Sequence, residues 1–295
     1  MPVTRTPDGV DIAWYDLADE TGAGHGGRPV LLCHATGFHG HVWLPTAERL
    51  GAAGFHCYSF DERGHGDSGR PADGDFAWTG FATDALAVIE AAGLGGRRPL
   101  AAGWSCGGAL LLLAEQRMPA TFRSLYLFEP VVPPIEWSTP PFDMPAENPL
   151  AAGARRRREV FPTRQAAYDN YASKPPLERA AREALRAYVD FGFDDLPDGT
   201  VRLKCRGEDE AAIFFIFQES LGVQSADHVA DAGLRDLEPL GNVDDPRVAL
   251  GINQLENALE IILDRRGFAS VLSWAGHGGE GKGERGQVKI KLFAG

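Results

Sequence analysis

A serine between two glycines is the feature of this 295-residue chain with the clearest chemical potential. The pentapeptide Gly103-Trp104-Ser105-Cys106-Gly107 stands between a segment that predicts a buried strand, residues 100–103, and one that predicts a helix, residues 107–116. A serine on so tight a strand-to-helix turn crowds its neighbours, and side chains two positions away on either side would clash. The turn lifts the hydroxyl to a helix N terminus, which favours developing negative charge. The pattern therefore predicts that Ser105 is a nucleophile on an elbow.

A second loop could stabilise the charge that such a nucleophile creates. Residues 34–40 follow a continuous apolar run at 29–33, which predicts a strand buried on both faces. A loop in this position presents backbone N–H groups opposite the serine. We expect the N–H groups of Thr36 and Cys106 to form an oxyanion hole. His34 is then interpreted as a structural loop histidine and not as a base.

Metal binding is a less favoured interpretation of the same loop. Cys33, His34, His39 and His41 could offer ligands, but their spacings match no zinc signature. The chain has four cysteines without a CxxC pair, which favours reduced and buried thiols over a disulfide frame. We therefore expect no metal and no cofactor.

Two further polar motifs are interpreted as structural. Residues 61–68, Asp-Glu-Arg-Gly-His-Gly-Asp-Ser, follow the predicted strand 55–60, and we expect Asp61 and Arg63 to tie this loop by hydrogen bonds. The basic run at residues 155–158 is interpreted as a solvated helix face and not as a phosphate site.

The elements around these motifs alternate between strand and helix. A turn at residues 7–9 predicts an N-terminal hairpin over residues 3–15. Strands are then predicted at 29–33, 55–60, 100–103 and 125–128, with helices at 43–53, 82–92 and 107–116. This order predicts right-handed crossovers, a mainly parallel sheet and the α/β fold class.

The alternation ends at residue 131. Prolines are dense at 131–149, and residues 155–188 predict helices without strands between them. We expect a core of residues 1–130 and 206–295 that carries a helical cap or lid at 131–205.

The loop after the first parallel strand, the D-x-R-G-H-G-x-S motif at 61–68 and the G-x-S-x-G motif together resemble the α/β-hydrolase superfamily. The resemblance is strong over residues 8–133, weaker to about residue 212, and faint beyond. It implies an eight-stranded, mostly parallel sheet flanked by helices, a helical cap after strand six, and a Ser–acid–His triad in that chain order. Haloalkane dehalogenases and epoxide hydrolases carry aspartate at the elbow, so Ser105 distinguishes this chain from them.

The resemblance also implies the other two triad members. His277, in Ala275-Gly276-His277, is similar to the family's C-terminal Gly-His, and we prefer it to His228 as the base. The usual aspartate after strand seven is missing. Some members carry the acid at the end of strand six, where Glu129 stands, so Glu129 is our expected acid and Glu256 the alternative.

Composition limits the partners. Asp and Glu outnumber Lys and Arg by 41 to 29, which gives a net charge of −12 and argues against nucleic acid or an anionic membrane. The sequence shows no signal-peptide pattern and no long apolar span. We therefore expect a cytoplasmic protein with a small-molecule substrate, and nothing indicates an oligomer.

The expected substrate is a small or medium, largely apolar carboxylic ester, cleaved through an acyl-enzyme. Phe38, Trp104 and Trp137 are the expected walls of its pocket. Carbon–carbon bond hydrolysis and cofactor-free perhydrolysis use the same triad and remain alternatives. A hydrolase fold that binds a ligand with little or no turnover is the alternative from another class.

Overall fold

The structure is a computed structural model that describes residues 1–131 and 148–214. The predictions for Trp137, His228, Glu256 and His277 lie outside the described residues.

A six-stranded sheet forms the centre of the described part. Its strands are β1 (Val3–Arg5), β2 (Asp11–Asp16), β3 (Arg28–Cys33), β4 (Phe55–Phe60), β5 (Leu100–Trp104) and β6 (Ser124–Phe128), in the spatial order β1-β2-β4-β3-β5-β6. The hairpin of β1 and β2 is antiparallel, as is the pairing of β2 with β4, whereas β3, β4, β5 and β6 pair in parallel. The predicted hairpin and the mainly parallel sheet are confirmed.

Helices cover both faces of this sheet. They are α1 (Leu17–Thr21), α2 (Leu44–Ala52), α3 (Trp78–Ala91) and α4 (Cys106–Arg117). Along β3, Leu31 belongs to the core cluster that includes residues of α3 and α4, while Val30 and Leu32 belong to the cluster that includes residues of α2. Successive side chains of a strand point to opposite faces. A strand covered on both sides must therefore be apolar at every position, which explains the continuous apolar run.

Residues 148–214 form a smaller layer of helices and short strands. Its elements are α5 (Pro149–Arg155), β7 (Val160–Phe161), α6 (Arg164–Ala172), α7 (Arg182–Phe191), β8 (Phe193–Asp195) and β9 (Val201–Leu203). The three strands form an antiparallel sheet in the order β7-β9-β8.

The expectation that residues 155–188 hold helices alone is wrong, because β7 lies among them. A strand of two residues is too short to show a period of two, and β7 forms only because β9 pairs with it from 40 residues further along. The boundaries of a core and a cap, at residues 131 and 205, stay a prediction.

No helix in the described ranges is long and apolar enough to cross a membrane.

Candidate active site

Ser105 lies on the turn between β5 and α4 in a strained backbone conformation, with φ 54° and ψ −113°. A positive φ is uncommon for a residue with a side chain, and its persistence requires support from the surroundings. A Cβ added to Gly103 would lie 2.4 Å from the carbonyl oxygen of Gly107. A Cβ added to Gly107 would lie 2.5 Å from the carbonyl oxygens of Cys33, the last residue of β3, and of His34. Neither glycine has room for a side chain, as the sequence argument requires.

The chain that leaves β6 holds the main chain of Ser105 in place. The Ser105 N–H donates to the carbonyl oxygen of Phe128 at 2.9 Å, and the Ser105 carbonyl oxygen accepts from the N–H of Val131 at 3.3 Å. Glu129 stands between these two contacts, with φ 45° and a half-buried side chain. Burial raises the pKa of the Glu129 carboxyl above its ordinary value. The backbone of Glu129, the expected acid, therefore lies beside the backbone of Ser105, the expected nucleophile.

The two expected oxyanion donors also come together. A Cβ on Gly107 would meet the carbonyl oxygens of Cys33 and His34, so the loop after β3 packs directly on the first turn of α4. The hydroxyl of Thr36 interacts with the thiol of Cys106. Neither the Thr36 N–H nor the Cys106 N–H donates to any acceptor within residues 1–131 and 148–214. Cys106 is the first residue of α4, at the positive end of the helix dipole.

Two buried histidine rings fix the loop at residues 34–40. The Glu62 N–H donates to Nε2 of His34, and the Gly37 N–H donates to Nε2 of His65, both at 2.9 Å. Each Nδ1 lies within hydrogen-bond distance of a backbone carbonyl, at 2.8 Å for His34 and 3.1 Å for His65. Because a backbone N–H can only donate, both rings must be neutral and carry their proton on Nδ1. No lone pair of either ring is left for a metal ion, and His34 is a structural loop histidine, as interpreted.

Burial supports this protonation state. It lowers the pKa of His65 to about 4 and the pKa of His34 well below its ordinary value. Both rings stay neutral at physiological pH and keep accepting from the loop amides.

The expected structural roles of Asp61 and Arg63 are confirmed. Asp61 accepts from the hydroxyl of Tyr15 and from the N–H of Gly40, both at 2.6 Å. The guanidinium of Arg63 binds the buried carboxylate of Asp84 through Nε at 2.9 Å and Nη2 at 2.7 Å. The loop that starts at Asp61 is thus anchored on α3 and in turn anchors the loop after β3.

An ion pair from residues 148–214 holds the other side of that loop. Arg157 pairs with Glu210, and the side chains are 20% and 10% exposed. Gly37, with φ 84°, leaves the space that this pair fills, because a Cβ there would lie 2.5 Å from Oε1 of Glu210. The interpretation of residues 155–158 as a solvated face is wrong for Arg157. Sequence reasoning missed this pair, and a basic run gives no local signal that one member turns inward.

Aromatic side chains cluster around Trp104, the residue before Ser105. The ring centroids of Phe38 and Trp104 are 4.6 Å apart, and those of Phe38 and Tyr188 are 5.2 Å apart. Tyr188 belongs to α7, so this wall joins the two described parts of the chain. Phe38 and Trp104, two expected pocket residues, are in contact beside the serine.

Comparison with known proteins gives one family and many similar structures. Residues 30–249 match the model of the alpha/beta hydrolase family. An E-2-(acetamidomethylene)succinate hydrolase is 18% identical with a TM-score of 0.60, over 89% of this chain and 99% of that one. A peroxisomal alpha-beta-hydrolase from Saccharomyces cerevisiae is 20% identical with a TM-score of 0.50, over 72% of this chain but only 62% of the yeast chain. An esterase from Exiguobacterium antarcticum is 19% identical with a TM-score of 0.50, over 73% of this chain and 72% of that one. At these identities the likeness shows a shared fold.

Proposed function

Because the chain belongs to the alpha/beta hydrolase family and is a hydrolase, we propose that it cleaves a carboxylic ester or related acyl bond through an acyl-enzyme on Ser105. The observation that carries this proposal is the strained serine at the start of α4, together with two nearby N–H groups that have no acceptor among the described residues. Such donors stabilise the oxyanion of a tetrahedral intermediate.

The proposed reaction assigns a role to each residue. The hydroxyl of Ser105 attacks the carbonyl carbon, and His277 accepts its proton and later returns it to the leaving group. Glu129 holds the imidazole in the required tautomer and stabilises the imidazolium. The N–H groups of Thr36 and Cys106 bind the oxyanion. Water then attacks the acyl-enzyme and releases the acid.

The proposed substrate is small or medium-sized and largely apolar. The contacts of Phe38 with Trp104 and Tyr188 support an aromatic wall beside the nucleophile, and Trp137 is proposed to extend it. A net charge of −12 supports a small-molecule substrate over nucleic acid. The four cysteines are free and buried, which supports a reducing compartment such as the cytoplasm.

Ester hydrolysis with matched serine variants tests the proposal. We expect the protein to hydrolyse p-nitrophenyl acetate or butyrate, Ser105→Ala to abolish turnover, and Ser173→Ala, on an exposed surface, to leave it unchanged. A fluorophosphonate probe should label the protein but not Ser105→Ala, since only an activated serine reacts. Unlabelled protein without esterase activity would favour the ligand-binding alternative. Labelling with activity only on a vinylogous diketone or in perhydrolysis would favour the other triad chemistries.

A further inference from the structure

The carboxyl group of Glu62 is fully buried and has no conventional hydrogen-bond partner among the residues that the structure describes. Its side chain is 0% exposed, and neither carboxyl oxygen is paired within the described residues. Nearly all buried polar groups in proteins are hydrogen bonded, and an unpaired buried carboxylate is costly. The reaction proposed above does not use this group, so its place in the core needs a separate explanation.

Within the described part of the chain, the groups that face Glu62 come from several elements and include no free cation. The Cys106 thiol on α4 interacts with the carboxyl, and Cys33 on β3 lies near it. The neutral rings of His34 and His65 approach it, with ring nitrogens and carboxyl oxygen within 4.8 Å of one another. Asp84 on α3 and Asp61 contribute negative charge, and the nearby Arg63 is already bound to Asp84.

This environment favours the uncharged form of the carboxyl. Burial raises the pKa of Glu62 well above its ordinary value, and the Asp84 and Asp61 carboxylates raise it further. A metal ion is not an alternative explanation, because all four ring nitrogens of His34 and His65 are engaged with the backbone. The carboxyl therefore lies in a closed core that disfavours its charged form.

Its contacts reach both sides of the proposed oxyanion hole. The Cys106 thiol interacts with the Glu62 carboxyl and also with the Thr36 hydroxyl. The Glu62 N–H donates to His34, at the start of the loop that carries Thr36. One residue thus supports the first turn of α4 through its side chain and the facing loop through its backbone.

We propose that Glu62 is a positioning residue that sets the separation of the two oxyanion donors, the N–H groups of Thr36 and Cys106. The proposal rests on the proposed function. Its physical reason is that these donors stabilise the transition state only when both reach the same oxygen. An uncharged side chain can fill the space behind them without adding a negative charge that would repel the oxyanion.

Two substitutions of Glu62 separate positioning from simple loss of fold. Glu62→Gln keeps the shape and the lack of charge, so we expect kcat for a p-nitrophenyl ester within about threefold of the parent. Glu62→Ala leaves a gap beside the Cys106 thiol, and we expect kcat to fall about 10²-fold with KM little changed, the cost of a misplacement near 1 Å. Glu48→Gln, an exposed carboxylate on α2, is the matched control and should change nothing.

An infrared measurement tests the charge state without any reaction. The parent at neutral pH should show the carbonyl band of a protonated carboxylic acid, and Glu62→Gln should lack it. If Glu62→Ala does not fold, the Gln variant and the infrared band decide. Absence of the band at neutral pH, parental kcat in Glu62→Ala, or equal loss of kcat in both variants would overturn the proposal. Failure of the proposed function is distinct, because the parent would then neither hydrolyse esters nor react with a fluorophosphonate.

Discussion

At the scale of single residues, the strained backbone of Ser105 shows how this site is maintained. A residue with a side chain at positive φ costs on the order of 1–3 kcal/mol and persists only where its surroundings require it. Here the requirement comes from the hydrogen bonds of Ser105 to Phe128 and Val131, and from glycines whose neighbours leave no room for a methyl group. The strain exposes the hydroxyl at a helix N terminus, where the proposed reaction needs it.

Removing the charge of Glu129 tests the identity of the acid. We expect Glu129→Gln to lower kcat by roughly 10² to 10⁴, because the imidazole loses the group that orients it while the serine remains. Ester hydrolysis by Glu129→Gln and Glu256→Gln provides the comparison, and Glu256→Gln should change little. A crippled Glu256→Gln beside an active Glu129→Gln would place the acid after strand seven.

Gly107, two residues after Ser105, leads to a prediction about stability. Gly107→Ala places a methyl group 2.5 Å from two backbone carbonyl oxygens that cannot easily move. We expect the free energy of unfolding to fall by about 1–3 kcal/mol or more, as measured by denaturant titration. Gly153→Ala is the control, because it lies in α5 with open space around it. That change should stabilise the protein by about 0.4–1 kcal/mol, and equal effects of the two would contradict the steric argument.

At the scale of elements, the loop at residues 34–40 is held from two directions. The loop that begins at Asp61 binds it through His65 and through the carboxylate of Asp61 itself. The Arg157–Glu210 pair packs on its other side, against Gly37. The proposed oxyanion donor Thr36 thus lies on a loop fixed by both described parts of the chain.

A double-mutant cycle measures the contribution of the buried pair. Arg157→Met or Glu210→Gln alone should cost about 3–5 kcal/mol of unfolding free energy, because each leaves one buried charge without its partner. The double variant should lose clearly less than the sum of the two single losses. The exposed pair of Arg5 and Asp11 is the control, and its coupling should stay under about 1 kcal/mol. Strict additivity at Arg157 and Glu210 would show that the pair does not act as a unit.

At the scale of the whole molecule, buried neutral histidines make stability depend on pH. Burial places the pKa of His65 at about 4 in the folded protein, below its ordinary value of 6.5. The unfolded chain therefore binds the proton first as the pH falls. This contribution to stability is complete above pH 6.5 and is lost progressively between pH 6.5 and 4.

The His65 contribution can be isolated with a variant that does not titrate. We expect the parent to lose about 2 kcal/mol of unfolding free energy through His65 between pH 7 and 5. His65→Gln keeps an acceptor for the Gly37 N–H and should lose correspondingly less over the same range. Denaturant unfolding at pH 7, 6 and 5 gives the change of unfolding free energy with pH for the parent and for His65→Gln. Identical slopes would mean that His65 does not titrate between the folded and unfolded states.

The sequence by itself determined the order of the six strands and of helices α2, α3 and α4 over residues 1–128, though not α1, and the place of Ser105 on a turn between them. Those features depend on local patterns: the periodicity of apolar residues, the turn residues, and the glycines that flank the serine. Each of these patterns can be recognised within a short stretch of sequence. The nearness of Glu129 to Ser105 also followed, because parallel neighbouring strands end at the same edge of a sheet.

Only the tertiary structure decided which polar side chains turn inward. Arg157 in a basic run and Glu62 in a polar loop have the composition of solvated segments, yet Glu62 is fully buried and the Arg157 side chain is only 20% exposed. The two-residue strand β7 likewise exists only through its pairing with β9. Arg157 pairs with Glu210, β7 pairs with β9 and Glu62 packs against Cys106, and each of these partners lies far away along the chain. The burial of such a side chain, or the pairing of so short a strand, depends on that distant partner. The local sequence pattern does not indicate this distant partner, because the free energy of such contacts comes from groups that only the fold brings together.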